Sequence, residues 1–206
     1  MKIDTYSSLK EVVYSDGLRY GLVSRRHSFM MFFLLTLNPF VAPGYVYGFW
    51  FRTCTYLRGK KLLLPIFFVA IMILRHYQFK LGINIPVGTD IGYGLYIGHY
   101  GCIVVNVKSV LGDNVNLSQG VTIGMANRGK RKGTATIGSR VYIGPGAKIV
   151  GNVKIGDDIA IGANAVVTRD IPSHSTVAGI PAAVISETGS EGYVNRCYER
   201  KQHQMH

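Results

Sequence analysis

From residue 85 onward one side-chain class returns every six residues, and that spacing excludes most folds. Ile85, Ile91, Ile97 and Ile103 stand six apart. A two-residue slip resets the frame to Val105, Leu111, Leu117 and Ile123, and after a gap it resumes at Ile137, Ile143, Ile149, Ile155, Ile161 and Val167. Glycine follows the aliphatic residue at 92, 98, 112, 124, 138, 144, 156 and 162, and small or β-branched residues precede it by two, as at Val115, Val121, Ala147 and Val153. Six residues is neither one helical turn nor two, and an isolated half-buried strand alternates every two. A period of six with glycine beside the anchor is the mark of a parallel β-helix, in which each hexapeptide supplies one short strand and one corner and three close a triangular coil. Fourteen anchors predict between four and five coils, with aliphatic side chains stacked inside the prism.

The gap is MANRGKRKGTA, Met125 to Ala135. Fourteen residues separate Ile123 from Ile137, so eight extra residues leave the prism as a loop carrying Arg128, Lys130, Arg131 and Lys132. Residues 83–186 therefore read as the repeat domain with an inserted loop at 125–135. Residues 187–206 read as a polar, mobile tail in which His203 and His206 are solvated.

Residues 1–82 have a different character. FMMFFLLTL (29–37), YVYGFWF (45–51) and LLLPIFFVAIMIL (62–74) are apolar runs flanked by Arg25, Arg26, Arg52, Arg58, Lys60, Lys61, Arg75 and Lys80. Residues 1–82 hold 11 Lys/Arg against 3 Asp/Glu, and the remainder holds 12 against 8, which makes the net charge of +12 uneven. That bias suits anionic partners. Bases set between apolar runs suit a membrane surface better than a nucleic-acid groove, and no nucleic-acid-binding motif is present. The longest apolar run, 13 residues, reaches about 20 Å as a helix, short of a hydrocarbon core of about 30 Å. It predicts an interfacial segment within 28–82, or a helical cap buried against the protein, rather than a spanning helix. Cys54, Cys102 and Cys197 lack metal-type spacing and read as reduced thiols of a cytoplasmic protein. The N-terminus, with Asp4, Glu11 and Asp16, does not read as a cleavable signal.

IGYGLYIGHYGCIVVN, LSQGVTIG, VYIGPGAKIVGNVKIGDDIAIGANAVVTRDIP and VAGIPAAVI resemble the hexapeptide-repeat acyltransferases. The resemblance covers about residues 82–186 and is nearest to the serine O-acetyltransferase branch, within it to proteins of surface-polysaccharide synthesis. It implies a left-handed β-helix, a homotrimer, and acetyl-CoA bound between neighbouring prisms, with no metal. The catalytic histidine of that branch falls on His99. A neutral imidazole is suited to take an alcohol proton as the oxygen attacks a thioester, and then to protonate the leaving thiolate. Backbone N–H groups at adjacent glycine corners can hold the oxyanion.

The resemblance places the residue that orients the histidine at Asn84, where the branch has aspartate; Asp90 or Asp113 are alternatives. The family's second histidine and its neighbouring arginine, which hold serine, align with Thr134 and Gly133, and an acidic position before the catalytic histidine is Gly98. For the donor it implies contacts from Gly144, Gly146 and Ala163, with Thr168 and Arg169 at the nucleotide end, where Arg suits a phosphate. Ala183 stands where Lys or Arg is frequent, and the basic loop 128–132 faces either the missing phosphate contact or the acceptor. His27, His76 and His174 match no motif position and read as structural.

Together these features predict an acetyl-CoA-dependent O-acetyltransferase acting on a sugar hydroxyl of a surface-glycan precursor at the inner membrane face. The alternative is serine O-acetyltransferase. A γ-type carbonic anhydrase would need three histidines on zinc, whereas the regular repeats offer His99 alone. A non-enzymatic scaffold would leave His99 without a task.

Overall fold

The structure, a computed structural model, describes residues 3–23, 29–38 and 40–200. Arg25, Arg26, His27, His203 and His206 lie outside the described residues.

The hexapeptides form a three-faced parallel prism. The first face stacks β1 (Ile83–Asn84), β4 (Ile103–Val105), β7 (Thr122–Gly124), β10 (Lys148–Val150) and β13 (Val166–Val167). The second stacks β2 (Asp90–Ile91), β5 (Val110–Leu111), β8 (Thr136–Ile137) and β11 (Lys154–Ile155). The third stacks β3 (Tyr96–Ile97), β6 (Asn116–Leu117), β9 (Tyr142–Ile143) and β12 (Ala160–Ile161), and ends in an antiparallel hairpin of β14 (Thr176–Gly179) and β15 (Ala182–Ser186). Every anchor of the six-residue frame is buried and joins one core. Each such side chain contributes about 1.5–3 kcal/mol by leaving water.

Register explains both breaks in the frame. Ile97 pairs with Leu117 and Val105 with Ile123, so this coil has eight residues between anchors where the next has six. The two extra residues are accommodated in the corner Gly98–Cys102, where Gly101 and Cys102 take positive φ of 110° and 53°. Ile103 and Val105 both point inward, with Val104 out between them. The eight-residue insertion leaves between β7 and β8 and is pinched by an antiparallel bridge of Ala126 and Gly133.

Among the described residues four α-helices precede the prism. Helix α1 (Tyr6–Arg19) starts at a capping box in which the Thr5 and Ser8 side chains each accept the other's backbone N–H. The others are α2 (Phe29–Leu37), α3 (Pro43–Leu57), opened by proline in its first turn, and α4 (Leu64–Leu81), preceded by a 3-10 turn over Lys61–Leu63. Gly82, at φ 61°, ends α4 in the left-handed cap conformation and turns the chain into β1.

The first coil would otherwise expose unpaired backbone groups along three strand edges. Side chains of α1, of Tyr20 at its C-cap and of α3 meet them. Tyr47 Oη donates to the Ile85 carbonyl and accepts from its N–H, and Tyr20 Oη does the same for Ile97. Arg52 donates to the Ile91 carbonyl at 2.8 Å and the Gly92 carbonyl at 2.6 Å while gripping Asp16, whose Oδ1 accepts the Leu95 N–H at 2.8 Å. Burial pushes the Asp16 carboxyl up, and the Arg52 guanidinium opposes it. Helix α3 comes this close because residue 44 is glycine: a Cβ there would strike the Ile97 carbonyl oxygen. Gly44→Ala is therefore expected to cost about 2–3 kcal/mol and to lower Tm by about 5–10 °C in a thermal melt.

Two expectations are corrected here. Residues 187–200 are not a free tail. Tyr198 is buried, its N–H donates to Asn114 Oδ1, the Asn114 amide returns a bond to its carbonyl, and Tyr193 stacks on Tyr142 at 4.6 Å. The tail's tyrosines cover the outward side of the third face, an aromatic pattern hidden among polar neighbours. The apolar run 62–74 is also only part of its helix, which continues through Arg75 and Lys80 to Leu81.

Candidate active site

Corners joining the third face to the first form one continuous edge. Along it lie Gly98–Cys102, then 118–121, then 144–147, then 162–165, one corner per coil. Backbone bonds link them in a ladder: Gly120 N–H to Gly101 O at 2.7 Å, Gly146 N–H to Gln119 O at 2.9 Å, and Asn164 N–H to Pro145 O at 2.8 Å. Gly146, at φ 73°, is required here, because a Cβ would run into the Asn164 amide of the next coil.

His99 stands at the start of this edge, on the corner lengthened by two residues, and is exposed. It makes no hydrogen bond among the described residues, so the extra corner length carries an imidazole free to act on a ligand. Gly144, Gly146 and Ala163 lie on the same edge, two and three coils further along. With parallel strands about 4.8 Å apart, His99 and Ala163 are separated by about 14 Å of open edge.

The remaining predicted residues are placed elsewhere. Asn84 lies on the first face, paired in register with Val104 and exposed, and forms no hydrogen bond to His99. Asp113 belongs to the corner between the second and third faces. Its Oδ1 accepts from Tyr93 N–H at 2.8 Å and from Arg200 at 3.0 Å, which removes it as a partner of His99 within the chain. Asp90, on β2, is also away from the edge and lines a shallow recess with Arg58 and Lys60. Thr168 and Arg169 follow β13 at the corner from the first to the second face, across the width of the first face from Ala163. The basic loop leaves from that same corner. Arg131 binds Asp170 at 2.7 Å, beside Arg169, and the Asp170 carboxyl is held below the usual range by the Lys154 N–H and by Arg131. The loop thus gathers with Arg169. His174 is a corner residue at φ 60°, 3.7 Å from Asp158.

Gln119 escaped notice in the sequence. It occupies the edge one coil beyond His99, and its Oε1 is buried without a hydrogen-bond partner among the described residues. Its only signal was a long amide at a corner where the frame favours small residues. Among the described residues no three His, Cys, Asp or Glu side chains gather as a metal set, and the three cysteines are unpaired.

Residues 134–169 match the family described as bacterial transferase hexapeptide (six repeats). A serine acetyltransferase of Helicobacter pylori strain J99 is 40% identical over 121 residues, covering 59% of this chain and 71% of that protein. The chain belongs to the serine acetyltransferase family of hexapeptide-repeat acyltransferases. Two solved members share its fold. The Brucella abortus serine acetyltransferase in complex with coenzyme A superimposes with a TM-score of 0.65 at 28% identity, over 88% of this chain and 67% of that one. The Neisseria gonorrhoeae serine acetyltransferase in complex with serine gives 0.63 at 28% identity, over 86% and 69%. The prism is accordingly a left-handed β-helix, and the chain is an acyltransferase.

Proposed function

We propose that this chain transfers acetyl from acetyl-CoA to the hydroxyl of L-serine, with His99 as general base. The observation that carries the reading is the single edge on which an unengaged histidine and the Gly144, Gly146 and Ala163 corners are aligned over about 14 Å. An extended thiol arm laid along those side-chain-poor corners brings its thioester toward His99. The hydroxyl oxygen then attacks the carbonyl carbon as His99 takes its proton. Backbone N–H groups of the corner hold the oxyanion, the C–S bond breaks, and the imidazolium returns the proton to the thiolate. Arg169 and the loop around Arg131 supply cations at the far side of the first face for the nucleotide phosphates. Relatives named for serine acetylation and a neighbour solved with serine support the acceptor. The working unit in this reading is a cytoplasmic homotrimer.

One observation favours a second acceptor class. Gly133 has no side chain and the Thr134 hydroxyl is spent on the Lys108 carbonyl at 2.9 Å, so neither position offers a cation to an amino-acid carboxylate. A sugar hydroxyl needs none. Coenzyme A release should be followed with acetyl-CoA and either L-serine or glycan precursors. Serine-dependent release supports the first reading, and release only with the sugar acceptors assigns the second. A chain inert to both and unable to bind acetyl-CoA contradicts acetyl transfer.

A further inference from the structure

Among the described residues the outward face of α4 has no partner, although its inward face is well packed. Phe67, Ala70, Leu74 and Leu81 recur at helical spacing and join the prism core beside α3. On the opposite side Leu62, Ile66, Phe68, Val69, Met72 and Phe79 are exposed, from 57% for Ile66 to 97% for Leu62. Over Lys61–Leu81 only 11% of the apolar 18-residue window is buried. A contiguous apolar surface of this kind on a folded domain marks an interaction site.

Charge selects the occupant. Lys61 stands at one end of the face and Arg75 and Lys80 at the other, all exposed. No Asp or Glu occurs anywhere between Asp16 and Asp90. A second copy of the same face would therefore set cations against identical cations with no acid in the segment to relieve them. An anionic phospholipid surface satisfies both parts, taking the apolar side chains below the headgroups and the bases at phosphate level.

We infer that the exposed face of α4 docks the enzyme on anionic membrane as an in-plane helix. By length and composition the 21 residues of Lys61–Leu81 could cross a bilayer. Crossing would pull Ala70, Leu74 and Leu81 out of the core they share with α3 and β1. Lying flat keeps that stripe on the protein and gives the lipid only the other side. This surface is independent of the acetyl-transfer chemistry, and its test reads binding alone.

The full chain should be sedimented with phosphatidylglycerol vesicles and with phosphatidylcholine vesicles at low and at 0.5 M salt. Expected is binding to phosphatidylglycerol that weakens at least about tenfold in high salt or on phosphatidylcholine. Leu62→Ser/Phe68→Ser/Met72→Ser should reduce it by at least about tenfold while leaving the circular dichroism melt unchanged, since these side chains touch solvent rather than core. Lys61→Glu/Lys80→Glu should reduce it by a similar factor. Failure of the parent to bind phosphatidylglycerol overturns the inference, as does binding that the triple variant retains. Assembly beyond a trimer that the triple variant abolishes, without lipid binding, assigns the face to a second copy instead.

Discussion

His99→Ala should lower kcat for acetyl transfer by about 10²–10⁴-fold, the range for removal of a general base. Its melting temperature should match the parent's within a degree or two. Both halves of the expectation come from the same geometry. The imidazole sits on a corner two residues longer than those of the following coils, is exposed, and bonds to no other described residue. No described residue is held by it, so an unchanged melt with lost turnover isolates its chemistry. Affinity for acetyl-CoA should also persist, because the corners proposed to hold the donor, at Gly144, Gly146 and Ala163, lie two and three coils away. Isothermal titration with coenzyme A checks that separately from turnover. A variant with parental kcat would remove His99 as the base.

Arg52→Ala should have the largest effect on stability, about 3–5 kcal/mol, seen as a fall in Tm of about 10 °C or more. Arg52 is 1% exposed and gives four hydrogen bonds, two to Asp16 and two to carbonyls of the first coil. Truncation leaves the buried Asp16 carboxylate without its cation, held by the Leu95 N–H alone, and leaves two carbonyls of the first coil without the guanidinium. Replacing both members of the pair by apolar residues, which can be neutral for an isolated buried pair, should not restore the parent here. The Ile91 and Gly92 carbonyls and the Leu95 N–H would still be unpaired. The variant should also acquire a distinct pH dependence. Burial already raises the Asp16 pKa and Arg52 opposes that rise. Without Arg52 the folded state binds the Asp16 proton more tightly than the unfolded chain does. The variant's deficit should therefore be largest at pH above the carboxyl's folded pKa and shrink as pH falls through that pKa toward the unfolded value. Denaturant melts at pH 7 and pH 5 measure the difference.

The prism was legible because its signal is local and repeated. Each anchor meets another aliphatic side chain one coil away, so the register can be counted without knowing any distant contact. The slip between Ile103 and Val105 was visible too, but not its location. Only strand pairing shows that the extra length falls in the corner holding His99 rather than in the strand after it. Asp113 shows the opposite case. As a carboxylate 14 residues from His99 it was a fair candidate to orient the imidazole. Coiling puts it on another edge, where Tyr93 and Arg200 occupy it. Residues 187–200 read as a free tail in sequence because polar composition hides how few aromatic contacts suffice to hold a segment on a surface, here Tyr193 and Tyr198.

By itself, then, the chain's sequence determined the β-helix, the number of its coils and the inserted loop, because each depends on spacing along the chain. Tertiary structure alone decided which corners share an edge with that histidine, which buried groups seal the first coil, and which side of α4 is left to solvent. Those outcomes depend on pairings between residues far apart in the chain, as in the bond from the Leu95 N–H to Asp16, 79 positions away. No periodicity encodes them; they follow only once the coils have stacked.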